Sequence, residues 1–154
     1  MIGGFNSEGQ RIRPARLPDA AEIGRLAIEL GYPASVLEVA ARLQLMLAAE
    51  SYFVAVAPGH GGVLLGWVAA ERRVLLESGE KAEITGLVVS LAARRAGVGA
   101  SLVAAAEQWA AGLGLKSICV RSNVARMESH GFYQAIDYMP RKTQQYYEKQ
   151  LASI

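Results

Sequence analysis

"VVSLAARRAGVGASLVAAAEQWAAGLG", residues 88–114, runs from a β-branched segment through paired arginines and paired glycines into an alanine-rich helical pattern. Val98, Leu102, Ala106, Trp109 and Leu113 recur at i, i+4, i+8, i+11 and i+15, a stripe suited to packing on a sheet. A strand that passes through a glycine turn into a helix aims unpaired backbone N–H groups and the positive end of the helix dipole at one spot. Such a spot suits an anion, phosphate above all. Gly97 and Gly99 remove side chains that would block close approach, and Arg94 and Arg95 add charge.

Outward from this stretch, β and α signals alternate without a repeat, a low-complexity tract or an interdomain linker. "RIRPARL" (11–17) reads as a first strand. Asp19 with Glu22 forms an Asp-headed capping box, and Ile23, Leu26, Ala27 and Leu30 share the face of the helix that follows, which Gly31 ends. Ser35 with Glu38 starts a second helix striped by Val39, Leu43, Met46 and Leu47. "SYFVAVA" and "GVLLGWVAAE" are strands joined by "PGHGG", an antiparallel hairpin in which His60 is a solvated loop residue. "ERRVLLESGEK" offers another hairpin or an irregular connection before the strand "AEITGLVVS". After the long helix come a strand, "KSICVRS", a short helix, "VARMESHGFYQA", and two closing strands, "IDYMP" and "TQQYYEKQL".

A chain of 154 residues has room for one domain with a core and a cleft. With 52% hydrophobic and 19% charged residues it reads as soluble, and no apolar run is long enough to span a bilayer. Residues 1–10, "MIGGFNSEGQ", lack the pattern of a secretory signal and are expected to form a flexible arm, with the cytoplasm as the default location and 11–154 as the functional domain. A net charge of +2 with dispersed basic residues argues against a nucleic-acid groove. The single cysteine, Cys119, reads as a small hydrophobe in a strand. Cys119, His60 and His130 form no ligand spacing, so no metal is expected.

Two phosphate-binding templates fail on the glycine turn. A Walker loop needs a lysine that "GVGASL" lacks, and the dinucleotide fingerprint needs a third glycine where Leu102 stands. The spacing R-x-x-G-x-G of Arg94, Gly97 and Gly99 resembles the acyl-CoA pyrophosphate loop of the GCN5-related N-acetyltransferases, the GNAT family. "AEITGLVV" is similar to that family's fourth strand, "RSNVARMESHGFY" to its fifth strand and following helix, and "TQQYYEKQL" to its last strand, so the resemblance covers residues 11–151. It implies a single-domain α/β fold: a mixed, mostly antiparallel twisted sheet of about seven strands, splayed between strands 4 and 5, with about four flanking helices.

The resemblance also implies roles. Acetyl-CoA would be the co-substrate, its pantetheine arm paired with the backbone of Leu87, Val88 and Val89. Its pyrophosphate would lie on the turn formed by Arg94, Arg95, Ala96, Gly97, Val98, Gly99 and Ala100, with Ser101 starting the helix. Asn123 matches a cofactor-contacting position and is equally a good N-cap for the next helix. Glu83 resembles the fourth-strand general base, often acting through water, and Tyr133 the general acid near the coenzyme sulfur; a backbone N–H of Val88 or Val89 would hold the oxyanion. His130 matches a packing position.

The expected activity is acetyl transfer to a primary amine by direct attack in a ternary complex, the alternative being a non-catalytic acyl-CoA-binding regulatory module. The acceptor is expected to be a small molecule rather than a protein, in a pocket built by the two N-terminal helices, their connection with Tyr32 and Pro33, and the last loop. Glu29, Glu77, Glu80 and Asp137 are acidic candidates there, and a homodimer is compatible with the long C-terminal segment. Leu91 and Asp137 depart from the proline and glycine that the family often has.

Overall fold

The structure is a computed structural model that describes residues 11–94, 96–122 and 124–153. The chain forms two compact units, Met1–Arg121 and Ser122–Ile154. In the first, strands β1 (Arg13–Pro14), β2 (Tyr52–Pro58), β3 (Leu64–Leu75), β4 (Gly79–Val89) and β5 (Ile118–Val120) form one sheet in the order β1-β2-β3-β4-β5. All neighbours are antiparallel except β4 and β5, which are parallel. Helices α1 (Ala20–Glu29) and α2 (Val36–Leu47) precede β2, α3 (Val98–Gly112) connects β4 to β5, and α4 (Met127–Ala135) belongs to the second unit.

Alternation along the strands divides the core into two layers. Val54, Val56, Ala69 and Val88 pack with Ile23, Leu26 and Leu43 of α1 and α2. On the other face Phe53 stacks on Trp109 of α3, ring centroids 5.4 Å apart. The expected stripe of α3 is buried at Val98, Leu102 and Ala106, whereas Leu113, beyond the helix end, is exposed. Among the described residues no helix is long and apolar enough to cross a membrane.

Two helix starts turn out differently. Ser35 caps α2 as its sequence predicts, its Oγ accepting from the Glu38 N–H at 3.1 Å. Asp19 makes no cap for α1; its carboxylate instead accepts twice from Arg13 at 2.8 Å and once from the Arg16 N–H at 2.8 Å. Glu22 is likewise drawn off, to Arg25 and to the Leu64 N–H. The Arg13 guanidinium of β1 holds Asp19, and Arg25 of α1 with the Leu64 N–H of β3 holds Glu22, so neither carboxylate caps α1.

The sheet has five strands among the described residues, rather than about seven. "IDYMP" and "TQQYYEKQL" form none of them. Asp137, at φ 71, closes α4 with Tyr138 N–H donating to the Tyr133 carbonyl, and Pro140 follows. Tyr146 and Tyr147 are the aromatic residues of the second of these segments. Both are more than 80% exposed. "RIRPARL" shortens to the two-residue β1 and "KSICVRS" to the three-residue β5.

Candidate functional site

The β4–β5 ladder lasts three pairs: Ala82 with Ile118, Glu83 with Cys119 and Ile84 with Val120. Immediately beyond, β4 bulges. Ala70 of β3 faces Ile84 while Ala69 faces Gly86, leaving Thr85 as the extra residue. Main-chain groups alternate sides along a strand, and a bulge resets that alternation. Ala82 donates its N–H to Ser117, toward β5, whereas Ser90 donates its N–H to Leu65, on β3. Counting back from Ser90, the N–H and C=O of Val88 face β3, while those of Leu87 and Val89 face the edge that β5 no longer covers. Of the three backbone positions expected at this edge, Leu87 and Val89 therefore present their polar groups to it and Val88 does not. The Val88 side chain lies in the layer beneath α1 and α2.

The glycine turn follows. Ser90 Oγ accepts from the Ala92 N–H in a short 3-10 turn, Leu91–Ala93, and Arg94 is extended and exposed. Gly97 is the N-cap of α3 with φ 79, a left-handed conformation that costs an L-residue roughly 1–2 kcal/mol. The helix starts at Val98, three residues before the expected Ser101. The first intrahelical bond runs from the Ser101 N–H to the Gly97 carbonyl, so the amides of Val98, Gly99 and Ala100 stand ahead of it at the positive end of the helix. The side chains of Val98 and Ser101 turn into the core, with Ser101 Oγ donating back to the Gly97 carbonyl at 2.8 Å. These two positions offer backbone to the turn. Ala96 is exposed, and Arg95 and Asn123 lie outside the described residues.

Glu83 sits two residues before the bulge and is 8% exposed. Its Oε1 accepts from Arg73 Nη1 at 3.1 Å and from the Cys119 thiol at 3.6 Å, and lies 3.7 Å from Arg121 Nη2. Glu71 faces it across the ladder and reaches Arg73 at 3.8 Å. Burial pushes the Cys119 thiol up and the Glu83 charge adds to this, so the thiol stays protonated at neutral pH. The arginines around Glu83 were not legible beforehand, because they depend on which residues of the long hairpin face one another.

A cavity of about 450 Å³ opens beneath α1 and α2 on the same sheet face as Val88. Its walls are the two helices and their connection at 32–34, Trp67 and Ala69 of β3, and β4 from Thr85 through Val88. Tyr32 and Pro33 thus line a pocket, as expected. The acidic candidates do not. Glu29 accepts from Arg25 and from the Leu91 N–H, fastening α1 to the turn after β4; Glu80 pairs with Arg72; and Glu77 is an exposed turn residue.

In the second unit Tyr133 lies on α4 between two aromatic neighbours, its ring 5.0 Å from Phe132 edge-on and 5.8 Å from Tyr138. Burial pushes its phenol up, which keeps it a proton donor at neutral pH. His130 is half-buried on the same helix, and Asp137 follows it.

Comparisons with known proteins accord with this arrangement. Residues 22–138 match the model of the acetyltransferase (GNAT) family. No match is found among curated proteins. Of solved structures, the chain is similar to the aminoglycoside antibiotic 6'-N-acetyltransferase of Acinetobacter haemolyticus, with 19% identity over 92% of this chain and 99% of that one and a TM-score of 0.78. It is similar to the corresponding enzyme of Acinetobacter baumannii at 17% identity, 94% and 100% coverage and a TM-score of 0.80. A third is the aminoglycoside N-acetyltransferase AAC(6')-Iy in complex with a bisubstrate analogue, CoA-S-monomethyl-acetylneamine, at 20% identity, 91% and 97% coverage and a TM-score of 0.81. With a family model spanning most of its length and a parted β4–β5 ladder leading into a glycine-headed helix, the chain belongs to the GNAT acetyltransferase family.

Proposed function

We propose that the protein is an acetyl-CoA-dependent N-acetyltransferase that acetylates a primary amine by direct attack in a ternary complex. The observation that carries this reading is the β4 edge, where a bulge turns the main-chain groups of Leu87 and Val89 outward just where β5 stops pairing. An open strand edge of this kind can accept an extended amide-bearing arm by main-chain hydrogen bonds. The amides of Val98, Gly99 and Ala100, behind the left-handed Gly97, suit a pyrophosphate, with Arg94 contributing charge. Arg95, Ala96 and Asn123 complete the proposed contacts.

Acetyl-CoA supplies an activated thioester when bound. Glu83 takes a proton from the attacking amine, relayed by water because the carboxylate is almost wholly buried. The outward N–H of Leu87 or Val89 stabilises the carbonyl oxygen as it gains charge, in place of Val88, whose N–H faces β3. As the N–C bond forms and the C–S bond breaks, Tyr133 gives a proton to the departing sulfur, a role suited to a phenol that burial keeps protonated. The cavity under α1 and α2 holds the acceptor, a small molecule rather than a protein.

Calorimetric titration with acetyl-CoA and CoA, followed by a thiol-release assay over several amines, tests the proposal. Micromolar binding with amine-dependent thiol release is expected. Binding without release from any amine would favour the regulatory module, and no binding would overturn both.

A further inference from the structure

The cavity under α1 and α2 has a composition that selects among amines. Trp67, Tyr32, Leu43 and Met46 give it an aromatic and aliphatic wall. Among its described lining residues none carries a carboxylate, and Arg42 is the one formal charge. The acids on the two helices are already engaged: Glu22 by Arg25 and the Leu64 N–H, Glu29 by Arg25 and the Leu91 N–H, and Glu38 by Arg42 at 3.1 Å.

From this the geometry points to an acceptor with one amino group on an apolar, aromatic-sized body that carries a carboxylate at its far end, and not to a polyamine. The inference rests on the acetyltransferase reading and names the substrate class of that site. A ligand with several ammonium groups would bury all but the reacting one without a partner, and an unpaired buried cation is costly. An apolar body loses no such solvation and covers the exposed side of the Trp67 and Met46 wall. At the rim, Arg42 and Glu38 are both more than half exposed. Exposed pairs of this type are worth at most about 1 kcal/mol, so an incoming carboxylate competes for the guanidinium and gains the bidentate geometry that arginine offers.

Three probes separate the classes: 4-(2-aminoethyl)benzoate, phenethylamine and spermidine. The chain has two tryptophans, so in Trp109→Phe the fluorescence reports Trp67 in the cavity wall, and calorimetry on the unaltered chain gives the ranking without that variant. The carboxylated amine should bind about threefold more tightly than phenethylamine. Both should bind at least about tenfold more tightly than spermidine. Arg42→Ala should erase the first ratio and keep the second. Spermidine binding as well as the aryl amines, no binding by either aryl amine, or a carboxylate preference that survives Arg42→Ala overturns the inference. Occupancy is read without turnover, so the expected ranking with no thiol release counts against acetyl transfer alone. Thiol release driven best by spermidine would overturn the acceptor class and leave acetyl transfer standing.

Discussion

A carboxylate at position 97 should repel the ligand that the α3 turn is proposed to hold. Gly97→Asn and Gly97→Asp form the informative pair, because both residues tolerate the left-handed φ 79 of this position and have nearly the same shape. Each replaces glycine at a strained position, so each should lose about 1 kcal/mol of stability, a fall in Tm of roughly 2–4 °C for a chain of this size. What differs is charge. At roughly 6 Å and an effective dielectric of about 40, one unit charge against one phosphate charge is worth about 1.4 kcal/mol, a tenfold change in Kd. A pyrophosphate facing Gly97 should therefore bind Gly97→Asp at least about tenfold more weakly than Gly97→Asn, with the gap narrowing as salt is raised. Calorimetric titration with CoA at two ionic strengths reads both effects. Equal affinities for the two variants would refute the turn as the pyrophosphate site.

Three further expectations follow from the same geometry. Glu83→Gln and Tyr133→Phe should each lower kcat by about 10²–10⁴-fold while leaving CoA affinity near that of the parent, measured by thiol release and calorimetry; full turnover in either removes that residue from the chemistry. Asp19 is held below the usual carboxylate range by its hydrogen bonds from Arg13, against the opposing cost of burial. Because its folded pKa is depressed, its contribution is present above the unfolded value near 3.8 and is lost as pH falls through the lower folded value. Asp19→Asn should thus cost about 1–3 kcal/mol at pH 7 and progressively less below about pH 4, read from urea unfolding; an equal cost at pH 7 and pH 3 would break the assignment. A methyl group at Gly66 would stand 2.7 Å from the Val88 carbonyl oxygen and 3.1 Å from Leu102, so Gly66→Ala should destabilise by about 1–3 kcal/mol, and an unchanged Tm would count against the close packing of α3 on β3.

The pocket and the acid network show how one element can serve two ends. Glu29 looked available on an amphipathic helix, yet its carboxylate joins α1 to the turn after β4. Glu22 and Glu29 of α1 are thus held by structural partners, and α1 presents Ile23 and Ala27 to the cavity.

The order of elements, the glycine turn and the apolar stripe of α3 were readable from residue spacing, because turn chemistry and 3.6-residue periodicity are local. So were the Ser35 cap and the family resemblance carried by Arg94, Gly97 and Gly99. The bulge at Thr85 was not, since it exists only in the register of β4 against β3, and it alone decides that Leu87 and Val89 rather than Val88 face the open edge. The partners of Asp19, Glu22 and Glu83 were equally hidden, because a charged side chain chooses among donors that come from distant segments. Sequence also overstated the closing strands, for strand propensity without a paired neighbour does not make a ladder. Local pattern set which elements form and which turn is proposed for a phosphate; only the packed sheet decided which main-chain groups of β4 face its open edge and what lines the cavity under α1 and α2, since both depend on residues that approach one another across the fold.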